Sequence, residues 1–143
     1  MRLPSFYQQM IIKSILKAKL LFLLALIYSL SILVLSLINL KNIDIINLNA
    51  SDKFYHALCY ALMVFLWLLH FHFKFRPQNI KGKLVLSSII IIFGIIIEVL
   101  QLVLTNYRSF DWWDVVANTL GVCIGLISFS IVKKFLMSKT FDF

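Results

Sequence analysis

Polar and ionisable side chains recur at helical spacing in three otherwise apolar stretches of this 143-residue chain. Residues three, four or seven positions apart share one face of a helix, so each stretch is predicted to carry a polar stripe. Side chains of these types exchange protons or bind phosphate and carboxylate groups. The residues are Asp52, Lys53, His56 and Tyr60 in the first stretch, Glu98 and Gln101 in the second, and Arg108, Ser109, Asp111, Asp114 and Asn118 in the third.

Glu98 is the clearest single sign of chemistry in the sequence. It lies in the apolar stretch Ile89–Leu104, about 10 Å along the helix from Thr105 at its end. A charged side chain at that depth in a bilayer costs at least ~2–3 kcal/mol, so such a residue is expected to face protein or water and to act there. Glu98, His56 and Asp114 are the candidates for general acid and base, although the chain has no Ser-His-Asp, HExxH or glycine-rich phosphate-loop motif.

Four apolar segments must position these stripes. Hydrophobic residues make up 62% of the chain and charged residues 14%, against roughly 45–50% and 25% in a soluble domain. Each segment has about the 20 residues that cross a bilayer as a helix, and lipid forces the backbone to bond within its own segment. The prediction is one all-α membrane domain over residues 1–143, with spans at about 20–40, 54–73, 84–104 and 115–132. The first span is predicted to be retained and not cleaved as a signal peptide.

Basic residues predict the orientation of these spans. Eleven lysines and arginines fall on one side, and Lys41, Lys53 and Arg108 fall on the other. The positive-inside rule therefore predicts both termini on the cytoplasmic side and all three polar stripes at the outer face. This topology accounts for the formal charge of +8, so we predict no nucleic-acid partner. Residues 1–19 are predicted either to lie on the membrane surface as a short helix or only to fix orientation.

Small residues predict close helix packing at two places. Gly94 lies one turn from Glu98, and the third polar stripe continues into the ladder Ala117, Gly121 and Gly125. Such faces let helices approach closely, either within the chain or against a second membrane protein. Cys59 and Cys123 both fall within spans and are interpreted as packing residues. The pair His70 and His72 is a weak metal signal, and we predict no bound metal and no cofactor.

With these motifs in hand, the chain resembles the VanZ-like family of small bacterial membrane proteins over roughly residues 51–126. That family is named for a protein associated with resistance to teicoplanin, a glycopeptide that acts on the cell wall. The resemblance implies a multi-pass protein of the bacterial cytoplasmic membrane with an envelope role, and an effect on glycopeptide susceptibility is one expectation. The resemblance rests on three motifs: Asp52-Lys53-Phe54-Tyr55-His56 with Tyr60, Glu98-x-x-Gln101, and Arg108-Ser109-Phe110-Asp111-x-x-Asp114-x-x-x-Asn118-x-x-Gly121-x-x-x-Gly125.

Several functions remain open at this level. In the first, an outer pocket binds or modifies a lipid-linked envelope precursor or an amphiphilic antibiotic, and Lys53 and Arg108 engage its phosphate or carboxylate. In the second, Glu98 and His56 act as acid and base of an enzyme on a lipid headgroup. In the third, Glu98, His56 and Tyr60 form a proton path. In the last, the polar residues only hold the helices together, among membrane lipids or with a partner subunit.

Overall fold

Four helices make up the fold in the computed structural model, which describes residues 5–38, 52–75, 79–106 and 109–138. They are α1 (Ser5–Leu37), α2 (Asp52–Lys74), α3 (Ile80–Leu104) and α4 (Trp112–Ser138), and no strand occurs within the described ranges. Each helix contains a segment long and apolar enough to cross a membrane. The all-α prediction with four candidate membrane spans is therefore confirmed.

Helix α1 differs from its predicted boundaries. The first span was predicted at about residues 20–40, with residues 1–19 either a short surface helix or a segment that only fixes orientation. In the structure one continuous helix begins at Ser5, and its apolar part begins at Ile12. No glycine or proline interrupts this stretch, so nothing in the backbone favours a break. The helix ends at Leu37, and the predicted end at Leu40 lies outside the described residues.

Helix α2 is the centre of the bundle. It contacts each of the other three helices, and its most extensive packing is against α4. A side-chain carbon added to Gly121 would overlap the backbone of Ala57, and one added to Gly125 would overlap Val64 and the backbone of Ala61. The predicted small-residue face of α4 is thus filled by α2 of the same chain, which lets the two backbones meet directly.

Side chains of α2 and α4 form most of the buried core, and polar contacts fasten α1 to its side. Met63, Val64, Leu68, Val122 and Phe129 are almost completely buried. Three interhelical hydrogen bonds join α1 to α2: Tyr28 Oη donates to the Cys59 carbonyl at 3.2 Å, Trp67 Nε1 donates to Ser29 Oγ at 3.2 Å, and His70 Nδ1 lies 2.8 Å from the Ala18 carbonyl oxygen. In a membrane such bonds average about 0.6 kcal/mol each, so packing carries most of the stability.

Candidate functional site

The first turns of α2 and α4 and the last turns of α3 meet at one end of the bundle. There the three predicted stripes bring their polar side chains together. We call this group the polar cluster; its members are Asp52, Lys53, His56, Glu98, Asp111, Asp114 and Asn118.

Lys53 joins α2 to the start of α4 through two ion pairs. Its Nζ lies 2.5 Å from Asp111 Oδ2 and also pairs with Asp114 Oδ1. The Lys53 ammonium lowers the pKa of the Asp111 carboxyl, and the backbone N–H of Trp113, which donates to Asp111 Oδ1 at 2.8 Å, lowers it further. Asp111 thus does two things: it holds Lys53 and fixes the first turn of α4, where a carboxylate also complements the helix dipole.

His56 connects the same two helices one turn deeper. Its Nδ1 lies 3.1 Å from Asn118 Oδ1, and its Nε2 lies 3.7 Å from Asp52 Oδ1 and 3.8 Å from Asp114 Oδ2. Because the Asn118 oxygen only accepts hydrogen bonds, this contact places a proton on Nδ1. The second ring nitrogen, Nε2, is then directed at the two carboxylates, where it can bind a proton or another cation.

Glu98 lies beneath these groups and is completely buried. Neither of its carboxylate oxygens makes a hydrogen bond of full geometry among the described residues, but the backbone N–H of Asp111 interacts with the carboxylate. The carboxylate interacts electrostatically with Asp114 and His56, so it lies close enough to the polar cluster to act on its charges. Burying a carboxylate in an apolar environment costs free energy unless a proton, a cation or a hydrogen-bond donor compensates its charge. Glu98 is therefore the position in the cluster where such a partner would stabilise the protein most.

Tyr60 lies one helical turn beyond His56 on α2. Its hydroxyl is buried without a hydrogen-bond partner among the described residues, and it interacts electrostatically with Glu98. Its ring covers Gly94, where an added side-chain carbon would lie only 2.9 Å from Cε1. Gly94 was predicted to let another helix come close, and the space beside it is filled by this aromatic side chain of α2.

The remaining predicted site residues have other surroundings. Gln101 is buried, and its Nε2 donates to the Ser36 carbonyl at 2.9 Å, so it fastens α3 to the end of α1. Thr105 donates to the Gln101 carbonyl at 2.6 Å and helps to end α3. Ser109 is exposed, and Arg108 lies outside the described residues.

Three members of the polar cluster have the arrangement of metal ligands. Asp52, His56 and Asp114 each offer one ligand atom, and these atoms lie within 4.8 Å of one another. In the sequence, Asp52 and His56 share one face of the predicted helix, but no pattern joins Asp114 to them as a ligand. The four-residue spacing of Asp52 and His56 was the sequence signal for a shared site. Asp114 lies on another helix, nearly sixty positions further along the chain, so no local spacing linked it to them.

The chemistry available here is proton exchange, cation binding and binding of anionic headgroups. A separate groove of about 560 Å³ near His70 lies towards the other end of α2 and is not part of the cluster. In comparisons with known proteins, the family model described as VanZ/LLP1 matches residues 3–133. No curated protein and no solved structure gave a match.

Proposed function

This chain belongs to the VanZ/LLP1 family, and from that membership and the polar cluster we propose that it is a multi-pass protein of the bacterial cytoplasmic membrane that binds or modifies the headgroup of an envelope amphiphile. The observation that carries this proposal is Glu98, a fully buried carboxylate without a side-chain hydrogen-bond partner among the described residues. A group retained at that cost is expected to serve a ligand or a reaction.

The distribution of charge supports an outward-facing site. Eleven basic residues fall on the side of the membrane opposite the polar cluster, and three fall on its own side. The positive-inside rule then assigns the cluster to the outer face, where lipid-linked envelope precursors and amphiphilic antibiotics are exposed. A ligand anchored in the outer leaflet by its apolar part would present its headgroup at the depth of this cluster.

Recognition of an anionic headgroup would use the cations at this end. Lys53 is already paired with Asp111 and Asp114, and the two aspartates differ in exposure, with side chains 39% and 10% exposed. A headgroup phosphate would therefore replace the more exposed Asp111 at the ammonium and leave the pair with Asp114 in place. Arg108 is the second candidate for a phosphate, since guanidinium groups bind phosphate through two hydrogen bonds.

Native mass spectrometry of the detergent-purified protein tests this function. Wild type is compared with Glu98→Gln, Asp114→Asn and Arg108→Ala, and Asp142→Asn makes the same chemical change at a position far from the cluster in the sequence. The expected result is a defined envelope lipid that wild type and the control retain and that the folded cluster variants lose. Equal lipid content in all folded proteins would contradict the proposal.

An acid-base enzyme is the second candidate function, and the geometry of His56 favours it. Its Nδ1 is held by Asn118, which fixes the ring and leaves Nε2 as the nitrogen that can accept a proton from a substrate. If the site is catalytic, Glu98→Gln should keep lipid binding and lose turnover of an isoprenoid or phospholipid headgroup. Binding without turnover in wild type would leave the binding function and reject the enzyme.

A further inference from the structure

We propose that Asp52, His56 and Asp114 bind one divalent transition-metal ion, near the buried carboxylate of Glu98. This inference deepens the proposed function because the ion would lie within the polar cluster. Its test measures metal binding without any lipid, so the two proposals can fail separately.

The three ligand atoms are already close to coordination distance. His56 Nε2 lies 3.7 Å from Asp52 Oδ1 and 3.8 Å from Asp114 Oδ2, and all three atoms are within 4.8 Å of one another. Bonds of about 2.0–2.2 Å in tetrahedral geometry place neighbouring ligand atoms about 3.4 Å apart. The side chain of Asp52 would move most to reach this separation, because it is 68% exposed and can rotate.

The environment of His56 is the one a metal-binding histidine requires. A ligating imidazole must be neutral at the coordinating nitrogen, and its other N–H is usually held by an oxygen acceptor that fixes the ring. Asn118 Oδ1 provides that acceptor at 3.1 Å from Nδ1. Nε2 therefore presents its lone pair to the space between Asp52 and Asp114.

Glu98 is an independent observation that points to a cation. It is fully buried, makes no side-chain hydrogen bond among the described residues, and interacts with Asp114, His56 and the backbone N–H of Asp111. Within the described part of the chain, Lys53 is the lysine or arginine paired with these carboxylates, and it contacts Asp111 and Asp114 rather than Glu98. A divalent ion beside Asp114 would supply the missing positive charge.

The ligand types indicate which ions fit. One imidazole nitrogen and two carboxylate oxygens suit Zn²⁺, Mn²⁺, Fe²⁺ or Co²⁺, whereas Mg²⁺ and Ca²⁺ prefer oxygen ligands alone. Three protein ligands leave at least one coordination position open, as in catalytic rather than structural zinc sites. A phosphate oxygen or a water molecule would occupy that position, which connects the ion to the anionic headgroups considered above.

The Lys53 ammonium competes with the metal ion for Asp114, so the structure predicts that removing it strengthens metal binding. Its ammonium holds Asp114 Oδ1 on the side away from His56, while Asp114 Oδ2 faces Nε2. Removing the ammonium leaves Asp114 with its full negative charge for the metal. Lys53→Met should therefore bind metal more tightly than wild type, although the substitution removes an ion pair between α2 and α4.

The experiment is a Co²⁺ titration of chelator-treated, detergent-purified protein, followed by absorption of the bound ion and confirmed with Zn²⁺ by calorimetry. Asp52→Asn tests a ligand at an exposed position, and His56→Gln and Asp114→Asn test the other two. His70→Gln is the matched control, since it removes a histidine of the same helix outside the cluster. Each variant is first checked for cooperative thermal unfolding.

The expected result is one ion per chain in wild type and in His70→Gln. Asp52→Asn should weaken binding at least about tenfold, and Asn118→Ala about 10–100-fold, as loss of an outer partner of a ligating histidine does. The inference is overturned by absence of binding in wild type, or by binding that persists unchanged in Asp52→Asn and is lost in Cys59→Ser or Cys123→Ser. Unchanged affinity in Asn118→Ala would also overturn it.

Discussion

Gly121→Ala tests whether direct contact between α4 and α2 sets the distances in the polar cluster. A side-chain carbon at Gly121 would lie 2.8 Å from Ala57 Cα and would overlap the Ala57 carbonyl oxygen. Carbon atoms normally meet at about 3.5–4.0 Å, so the helices must separate by roughly 1 Å. Asn118 lies one turn before Gly121, and His56 is adjacent to Ala57, so their contact of 3.1 Å would open to about 4 Å and be lost.

The expected change in the free energy of unfolding follows from two destabilising contributions and one stabilising contribution. Overpacking a close contact costs about 1–3 kcal/mol. Loss of one internal hydrogen bond costs about 1 kcal/mol. Alanine is the better helix former by about 1 kcal/mol, which offsets part of the loss. Gly121→Ala should therefore lower the free energy of unfolding by about 1–3 kcal/mol.

Reversible unfolding in mixed detergent micelles, followed by tryptophan fluorescence, measures this change. Gly82→Ala is the matched control, because its added carbon would meet only the tip of the exposed Asn79 side chain, at 3.1 Å. The control should be neutral or stabilised by up to about 1 kcal/mol, the helix propensity of alanine alone. If Gly121→Ala is stabilised as much as Gly82→Ala, the close contact does not constrain the two helices and the reasoning fails.

Three further predictions concern single groups. Tyr60→Phe should leave stability unchanged or raise it by up to about 1 kcal/mol, because it removes a buried hydroxyl without a partner among the described residues; a clear loss in the same unfolding assay would reveal a partner. Gln101→Leu should destabilise by about 0.6–1.7 kcal/mol, because it breaks the bond to the Ser36 carbonyl, and equal stability to wild type would count against that bond. Lys53 lowers the pKa of Asp111, so folding gains stability above the unfolded pKa of about 4 and loses it as pH falls through the lower folded pKa. Unfolding temperatures measured across this acid range should fall less steeply in Asp111→Asn, and identical slopes would reject the assignment.

The sequence was sufficient for those features that depend on local properties. Length and hydropathy predicted all four helices, because a segment in lipid must satisfy its backbone hydrogen bonds internally whatever its neighbours are. The direction of successive spans also predicted that the stripes containing His56, Glu98 and Asp114 lie at one end. The predicted start of the first span, at about residue 20, is not a helix boundary, since helix formation continues past the apolar segment wherever no residue breaks it.

The partners within the cluster depend on how the helices are rotated and how closely they approach, and a linear pattern contains neither quantity. Lys53, which was predicted to bind a ligand, is paired in the structure with Asp111 and Asp114, 58 and 61 positions away. His56 meets Asn118, 62 positions away, because contact at Gly121 brings α4 directly onto α2. The sequence alone determined which groups reach this end of the helix bundle. The tertiary structure decided which of them touch, because a contact requires ångström-scale agreement between distant backbones.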